Sequence, residues 1–199
     1  GTLWVTASLA TNNLYKRTPD GTWTAYSLGQ FSGEAIKDLA LDEDGRVWMI
    51  SRTKGIVCAE VDGSSVQVRR ITSGAGDGNL PSPDVQALAF DQDGELWVGT
   101  TDGLAVIYTP YNVFRPGRSI DAQPILREEN GVVQKVLGSE RISCIAVDGG
   151  NRKWVGTQSG GLFLLSPDGL EELMHLTSTN SPMLSDRITS LAVDPVTGE

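Results

Sequence analysis

One pattern of apolar and polar positions recurs along the chain. A mostly apolar run ends in aspartate, a short polar turn follows, and the next run carries tryptophan. The clearest copy is residues 85–100. Further copies occupy residues 36–48 and 142–157, and an incomplete copy occupies residues 188–194. A repeat of roughly 50 residues built from short strands is typical of a β-propeller, in which each repeat forms one blade.

The pattern predicts four strands in each blade, named A to D from the inner to the outer edge. Strand A is the apolar run, at residues 36–41, 85–90, 142–147 and 188–193. Strand B carries tryptophan, at residues 3–5, 47–49, 96–98 and 153–155. Strand C follows a glycine turn, at residues 55–59, 103–108 and 161–165. Strand D alternates apolar and polar positions, as half-exposed outer strands do, at residues 22–26, 66–70, 132–136 and 171–175.

These runs predict an all-β chain that is a β-propeller fragment of about four four-stranded antiparallel blades. Residues 1–199 then form a single propeller fragment. Its predicted parts are strands B, C and D of a first blade at 1–29, blades at 36–72, 85–137 and 142–177, and strand A of a next or closing blade at 188–194.

The two ends leave two arrangements open. Residues 188–193 can pair beside residues 3–5 and close a four-bladed ring, because propellers often close by pairing strands from their termini. Alternatively, the chain is a piece of a longer propeller. The turn at 196–199 and a first residue that is glycine rather than methionine favour this second arrangement. We expect a fragment with such exposed strand edges to self-associate.

Turn residues support the strand assignment. Asp-Gly pairs fall between predicted strands, where glycine supplies the positive φ of a tight turn. Residues 109–131 form a longer insertion, predicted as an irregular loop that ends in a hairpin with Asn130 and Gly131 at its turn. Loops of this length are often functional, and a plain extension of the blade is the alternative.

Composition excludes some partners. The net charge of -9 and the isoelectric point near 4.6 leave no basic patch for nucleic acid and no attraction to an anionic membrane. No apolar run approaches the roughly 18 residues of a membrane span, and no signal peptide is present. Cys58 and Cys144 fall in strands of non-adjacent repeats, so we expect two buried thiols rather than a disulfide.

No residue pattern indicates catalysis. The only histidine, His175, falls on an outer strand, without the buried nucleophile that a Ser-His-Asp or Cys-His site needs. The consecutive acids at 128–129 and 171–172 point to opposite faces of their strands, unlike the paired carboxylates of a glycosidase. We therefore expect no catalytic residue.

The turn aspartates and the repeated tryptophans also have structural explanations. Asp42 and Asp44, like the pair at 91 and 93, lack the later bidentate glutamate and the flanking helices of a calcium loop, so we interpret them as turn formers. The fixed position of tryptophan in strand B indicates packing between blades rather than sugar stacking. The glycines that follow permit close approach of sheets, and no helix follows them to bind phosphate. The sequence therefore predicts neither a metal site nor a cofactor.

If the protein binds a ligand or partner, propeller geometry favours one face. The D–A and B–C loops share a face, and that face usually meets ligands. In this chain these loops carry polar side chains that suit a glycan or a protein surface, although any solvated turn has similar residues. The candidates are Arg52, Thr53, Lys54, Asp77, Asn79, Thr101, Asp102, Gln158, Ser159 and Asn180.

The repeated pattern resembles the two-component regulator propeller repeat. Residues 85–104 match it best, residues 142–162 are close, and residues 36–56 depart at Met49, Ile50 and Ser51, where Val-Gly-Thr is expected. The resemblance implies a β-propeller sensor domain in the periplasmic part of a hybrid two-component histidine kinase, chiefly from Bacteroidetes-type bacteria.

Residues 145–199 are also similar to PorZ-type propellers of the type IX secretion system, and this resemblance extends over residues 80–199. It implies a component of the periplasm or the outer-membrane cell surface that acts with the sortase-type attachment machinery. Such proteins contain more propeller and a C-terminal β-domain. The partners implied are proteins of that secretion and attachment complex or an envelope polysaccharide.

Two functions follow from these resemblances. The first is a non-catalytic scaffold or recognition propeller of type IX secretion, and the second is the ligand-sensing propeller of a two-component receptor. An enzymatic propeller is a third reading, but the inner strands lack a cluster of charged catalytic residues at matched positions.

Overall fold

Apart from two single-turn 3-10 helices, at Gly29–Phe31 and Pro110–Asn112, the regular structure consists of strands. The computed structural model describes residues 1–129 and 131–194. The strands are β1 (Leu3–Thr6), β2 (Leu14–Arg17), β3 (Trp23–Tyr26), β4 (Ile36–Leu41), β5 (Val47–Ser51), β6 (Gly55–Asp62), β7 (Ser65–Ile71), β8 (Val85–Phe90), β9 (Leu96–Thr100), β10 (Gly103–Ile107), β11 (Gln123–Pro124), β12 (Leu126–Glu129), β13 (Val132–Lys135), β14 (Ile142–Val147), β15 (Lys153–Thr157), β16 (Leu162–Leu165) and β17 (Glu172–Leu176).

The strands form successive antiparallel meanders, as β-propeller blades do. Blade 1 has the order β1-β2-β3, blade 2 β4-β5-β6-β7, blade 3 β8-β9-β10-β11 and blade 4 β14-β15-β16-β17. Strands β12 and β13 form a separate two-stranded hairpin. The predicted all-β propeller is therefore confirmed, with one three-stranded and three four-stranded blades among the described residues. No helix in the described part of the chain is both long enough and apolar enough to cross a membrane.

An aspartate–tryptophan hydrogen bond joins the first two strands of each complete blade. In blade 3 the Asp91 carboxylate accepts the indole N–H of Trp97 at 2.9 Å and the backbone N–H of Glu95 at 2.9 Å. One side chain thus closes the turn and fixes the ring on the following strand. The equivalent indole bonds run from Trp48 to Asp42 at 3.0 Å and from Trp154 to Asp148 at 3.3 Å.

Two of the tryptophans fixed in this way, Trp48 and Trp97, pack between blades, as the sequence predicts. Trp48 is fully buried in the core between blades 2 and 3, and its ring meets Phe90 edge-on at 5.9 Å. Trp97 belongs to the core between blades 3 and 4. Blades 3 and 4 approach closely beside Trp97 because residue 99 is glycine. A Cβ atom at this position would lie 2.4 Å from Cγ2 of Ile142.

A buried ion pair also joins blades 3 and 4. The ammonium of Lys153 lies 2.9 Å from the carboxylate of Asp91, and both side chains are inaccessible to solvent. The same ammonium donates to the carbonyl of Asn151 at 2.8 Å and to the carbonyl of Pro167, and it lies 4.6 Å from the Trp97 ring centre. Burial opposes ionisation of Asp91, but the bonds from Lys153 and Trp97 hold its pKa below the ordinary value.

The outer strand of blade 3 differs from the prediction. Residues 132–136 were expected there, but the two-residue strand β11 occupies that position and β13 pairs with β12 instead. The insertion therefore pairs with the blade at residues 123–124, earlier in the chain than expected, and then continues as the β12–β13 hairpin. The base of this hairpin is closed by the N–H of Val136, which donates to the carbonyl of Ile125 at 2.8 Å. The hairpin itself agrees with the predicted turn. Gly131 has φ 78°, and Asn130 lies outside the described residues.

Residues 188–194, predicted as an inner strand, form no strand in the described structure. Ile188 nevertheless donates its N–H to the carbonyl of Thr157 at 2.9 Å. It also packs on Gly156 much as Ile142 packs on Gly99. Within the described ranges β1 pairs only with β2, so no ring closure forms. An inner strand is normally held by its own strand B, and within residues 1–129 and 131–194 no strand pairs with this tail. The predicted turn at 196–199 lies outside the described residues.

Replacing Asp91 should destabilise the fold more than replacing its counterpart Asp42. Asp91→Asn leaves the ammonium of Lys153 buried without a counter-charge, which costs about 3–5 kcal/mol. Asp42→Asn should cost only about 1–2 kcal/mol, because Arg46 keeps Asp44 and Glu60 as ion-pair partners. Urea unfolding followed by tryptophan fluorescence measures both values, and equal losses would contradict the importance of the buried pair.

Candidate functional site

The B–C turns and the loops that lead into strand A meet on one face of the blades. In blade 2 the N–H of Arg52 donates to the carbonyl of Ala35 at 2.9 Å. The matching bonds in blades 3 and 4 join Thr101 to Asp84 at 3.1 Å and Gln158 to Arg141 at 2.9 Å. We call this surface the loop face. Each B–C turn is therefore tied to the start of its own blade.

Part of the predicted set lines two depressions on the loop face. Arg52 and Thr53 line the first, of about 270 Å3, and Asn79 and Asp102 line the second, of about 200 Å3. Thr101 is half-buried, and its hydroxyl lies 3.1 Å from that of Ser82. The predicted residues of blade 4 line neither depression. They are Gln158, Ser159 and Asn180, all exposed.

Three predicted residues have structural roles in their own loops. Asn180 accepts the N–H of Thr177 at 2.7 Å and donates to the carbonyl of His175 at 2.9 Å. Asn79 has φ 46° and donates to the carbonyl of Ala122 at 3.3 Å. The carbonyl of Asp77 accepts the N–H of Thr72 at 2.7 Å. These residues shape the loop face.

Sequence reasoning missed a repeated polar residue on the inner strands. Lys37, Gln86 and Ser143 are each the second residue of strand A, where the pairing register with strand B shifts. Such a β-bulge redirects the side chain of the extra residue, and bulges are common beside functional sites. The available signal was a polar second position in otherwise apolar runs, which Thr189 also occupies in the incomplete copy.

The bulged side chains link neighbouring blades. The ammonium of Lys37 donates to the side-chain oxygen of Gln86 at 2.7 Å and to its carbonyl at 3.0 Å. The amide of Gln86 donates to Asp84 at 2.7 Å. Lys37, Arg52, Asp84 and Gln86 together line the first depression. We call these four residues the inner rim. They offer donors, acceptors and both signs of charge within one concavity.

An ion-pair cluster fixes the blade 2 side of the loop face. The Glu34 carboxylate accepts bonds from Arg70 at 2.5 Å and from Ser51, and Lys54 lies 3.4 Å away. The Arg70 guanidinium also lies over the Phe31 ring at 4.4 Å. Burial opposes ionisation of Glu34, but the bonds and charges of Arg70, Ser51 and Lys54 hold its pKa below the ordinary value. Lys54 is therefore engaged within the fold.

The side chains with catalytic potential are engaged in packing. The ring of His175 stacks on Phe163 with centres 4.0 Å apart, and Nε2 lies 2.6 Å from the carbonyl of Gly160. Among residues 1–129 and 131–194, no group of three histidine, cysteine, aspartate or glutamate side chains has the arrangement of a metal site. Cys58 and Cys144 are free thiols, and burial raises the pKa of each.

A larger cavity, of about 540 Å3, opens on the opposite face between blades 3 and 4. Asp93, Glu95, Tyr108 and Asp168 line it, together with apolar side chains from the hairpin base. Burial, and then the charges of Glu95 and Asp168, raises the pKa of Tyr108. None of the residues predicted from sequence lines this cavity.

Glu34 should make the stability of blade 2 dependent on pH. Because its pKa is lowered on folding, the ionised carboxylate stabilises the fold above its ordinary pKa of about 4.5, and this contribution disappears as the pH falls below that value. The melting temperature of Glu34→Gln should therefore lie furthest below wild type near about pH 7 and converge on it in acid. Exposed Glu172→Gln is the matched control. Parallel melting curves for the Glu34 variant and wild type across this range would contradict the assignment.

The successive four-stranded blades and the loop face that they share define this protein as a β-propeller. The family model for the two component regulator propeller matches residues 79–102, which span the start of blade 3. No curated protein sequence matches the chain.

Three solved structures illustrate what the chain resembles. PorZ, described as an essential bacterial surface component of the type-IX secretion system of Porphyromonas gingivalis, has 26% identity and a TM-score of 0.83 over 98% of this chain and 28% of its own. An extracellular domain from B. thetaiotaomicron, assigned to a hybrid two component system, has 21% identity and a TM-score of 0.61, over 98% and 24%. Virginiamycin B lyase from Staphylococcus aureus has 16% identity and a TM-score of 0.55, over 86% and 51%.

These comparisons support both resemblances predicted from the sequence, one for the repeat and one for the whole chain. The two component regulator repeat is present in blade 3, and the whole described architecture resembles a part of PorZ. The chain spans about a quarter of the length of PorZ and of the extracellular domain. The likeness to that domain and to the lyase is a likeness of fold alone, since identity is low in both cases.

Proposed function

We propose that this chain is a non-catalytic recognition propeller of the bacterial cell envelope, a PorZ-like component of type IX secretion that acts with the sortase-type attachment machinery. The observation that carries the proposal is the match to PorZ along nearly the whole chain, at a TM-score of 0.83 and 26% identity. The propellers of two-component systems match with TM-scores near 0.6 and lower identity. PorZ is a surface component by its description, which supports a periplasmic or cell-surface location for this chain.

The inner rim is the proposed contact surface. Its four side chains combine an ammonium, a guanidinium, a carboxylate and an amide in a concavity of about 270 Å3, and hydrogen bonds link Lys37 to Gln86 and Gln86 to Asp84. Such a set provides directional hydrogen bonds to hydroxyl, amide or carboxylate groups. Exposed Gln158 and Ser159 extend the same face across blade 4. The proposed partner is a protein of the attachment complex or an envelope polysaccharide.

We propose a non-catalytic function because the four inner-rim side chains do not include a nucleophile paired with a base, as covalent or acid–base catalysis requires. Ser143, the bulged residue of blade 4, carries a hydroxyl, but this hydroxyl donates to the carbonyl of Ile188 at 2.6 Å rather than to a base. His175 is stacked on Phe163 at the outer strand. The lyase among the similar structures shares the fold at 16% identity, and no catalytic role transfers from it.

A ligand-sensing propeller of a hybrid two-component histidine kinase is the second candidate. It is favoured by the match of residues 79–102 to the regulator propeller family and by the fold of the extracellular domain from B. thetaiotaomicron. A sensor of this kind would bind a small ligand through the same inner rim, so the two candidates differ in partner rather than in contact surface.

Removing inner-rim side chains should weaken partner binding without unfolding the chain. Arg52→Ala combined with Gln86→Ala deletes two hydrogen-bonding groups, which we expect to weaken binding at least about tenfold. The measurement is surface plasmon resonance against a purified sortase-type attachment protein and, separately, a purified envelope polysaccharide. Exposed Arg17→Ala on β2 is the control and should bind as wild type does. Failure of wild type to bind either partner, or equal binding by the rim variant, would contradict the proposal.

A further inference from the structure

A further concave surface lies beside the outer strand of blade 2 and shares no residue with the inner rim. It is formed between the outer strand of blade 2, β7, and residues 113–118 of the insertion, and has a volume of about 460 Å3. Three arginines line it, Arg69 from β7 and Arg115 and Arg118 from the insertion. We call this surface the arginine groove. It is separate from every residue of the proposed contact surface.

The walls of the arginine groove are fixed by the fold. The guanidinium of Arg69 donates to the carbonyl of Val113 at 2.7 Å and to that of Gly76 at 3.4 Å. Val113 and Ile120 are buried in the core between blades 2 and 3. Asp121 accepts the N–H of Gly76 at 2.9 Å, which ties the end of the insertion to the adjoining loop. The insertion is thus a packed wall beside β7 rather than a loose loop.

The three arginines of the groove have no ion-pair partner among the described residues. In residues 1–129 and 131–194, no carboxylate lines the groove. Arg115 instead lies over the Tyr111 ring at 5.6 Å. Other arginines of this acidic chain are paired with carboxylates, among them Arg46, Arg70 and Arg152. Three like charges gathered in a chain of net charge -9 attract an anionic partner.

The second feature of the groove is a free strand edge. Strand β7 pairs only with β6 within the described ranges, so one edge of its backbone lacks a partner. Gln67, Val68 and Arg69 lie along that part of the strand and line the groove. An extended peptide can add to such an edge through main-chain hydrogen bonds, while alternate side chains meet pockets beside it. A strand edge and guanidinium groups in the same groove together favour a peptide over other anions.

We propose that the arginine groove binds an extended acidic peptide segment as an additional strand beside β7. The peptide backbone pairs with the free edge at Gln67 to Arg69, and its carboxylates meet the guanidinium groups of Arg115 and Arg118. Planar guanidinium groups bind carboxylates through two parallel hydrogen bonds, which suits a partner held in fixed register. This site is independent of the inner rim and of the proposed envelope function.

The test uses fluorescence anisotropy with a labelled octapeptide in which valine alternates with aspartate. Arg115→Gln combined with Arg118→Gln removes two charges and leaves Arg69, which holds the insertion, in place. We expect binding at least tenfold weaker than wild type. Arg17→Gln combined with Arg187→Gln makes the same change in charge at exposed positions elsewhere and should leave binding unchanged. Circular dichroism confirms that both double variants are folded.

Three comparison ligands make the proposal falsifiable. A peptide with lysine in place of aspartate and a peptide N-methylated at alternate amides should both bind at least tenfold more weakly than the acidic peptide. Hexagalacturonate, a saccharide that carries carboxylates without a peptide backbone, should compete poorly. Equal affinity of wild type and the Arg115/Arg118 variant would overturn the site. Equally tight binding of the N-methylated peptide or of hexagalacturonate would overturn the strand-addition mode.

Discussion

The hydrogen bond between the aspartate that directly follows strand A and the tryptophan of strand B is the interaction on which the rest of the structure depends. Asp91 shows its consequences most clearly. Its carboxylate closes the A–B turn, holds the Trp97 indole and neutralises the buried Lys153 of the next blade. A turn, a strand and an interface between blades are therefore coupled through one side chain. Because buried charges are costly when unpaired, this coupling makes the position of blade 4 against blade 3 specific.

The loop face follows from the same framework. Once the tryptophans set the distance between blades, strand A of each blade begins beside its own B–C turn, and the β-bulge at its second residue redirects a polar side chain. Lys37 and Gln86 can then bond to each other across two blades. The inner rim is thus a product of the packing between blades, whereas residues such as Asn180 are committed to their own loops.

Much of the fold could be predicted from sequence, because each apolar run, turn aspartate and tryptophan occupies the same place in every blade and so marks where strands begin, end and pair. The outer strand of blade 3 could not, because residues 123–124 are a short Gln-Pro pair without a strand pattern, whereas residues 132–135 have one. In the structure β11 nevertheless pairs with β10, and β13 pairs with β12. Lys153 falls within a predicted strand B, and the sequence does not mark it as a buried ion-pair partner because Asp91 lies in the preceding blade. The loop face was predicted from turn positions, but the bulged residues were missed because a register shift leaves only a weak signal in one sequence.

In the proposed function, these blades belong to a PorZ-like envelope protein rather than to a sensor kinase. Sequencing the intact parent protein tests it most directly. The expected result is further propeller repeats followed by a small C-terminal β-domain, with neither a membrane-spanning helix nor a kinase domain. A membrane-spanning helix followed by a histidine kinase would contradict it and would identify the inner rim as the ligand site of a periplasmic sensor.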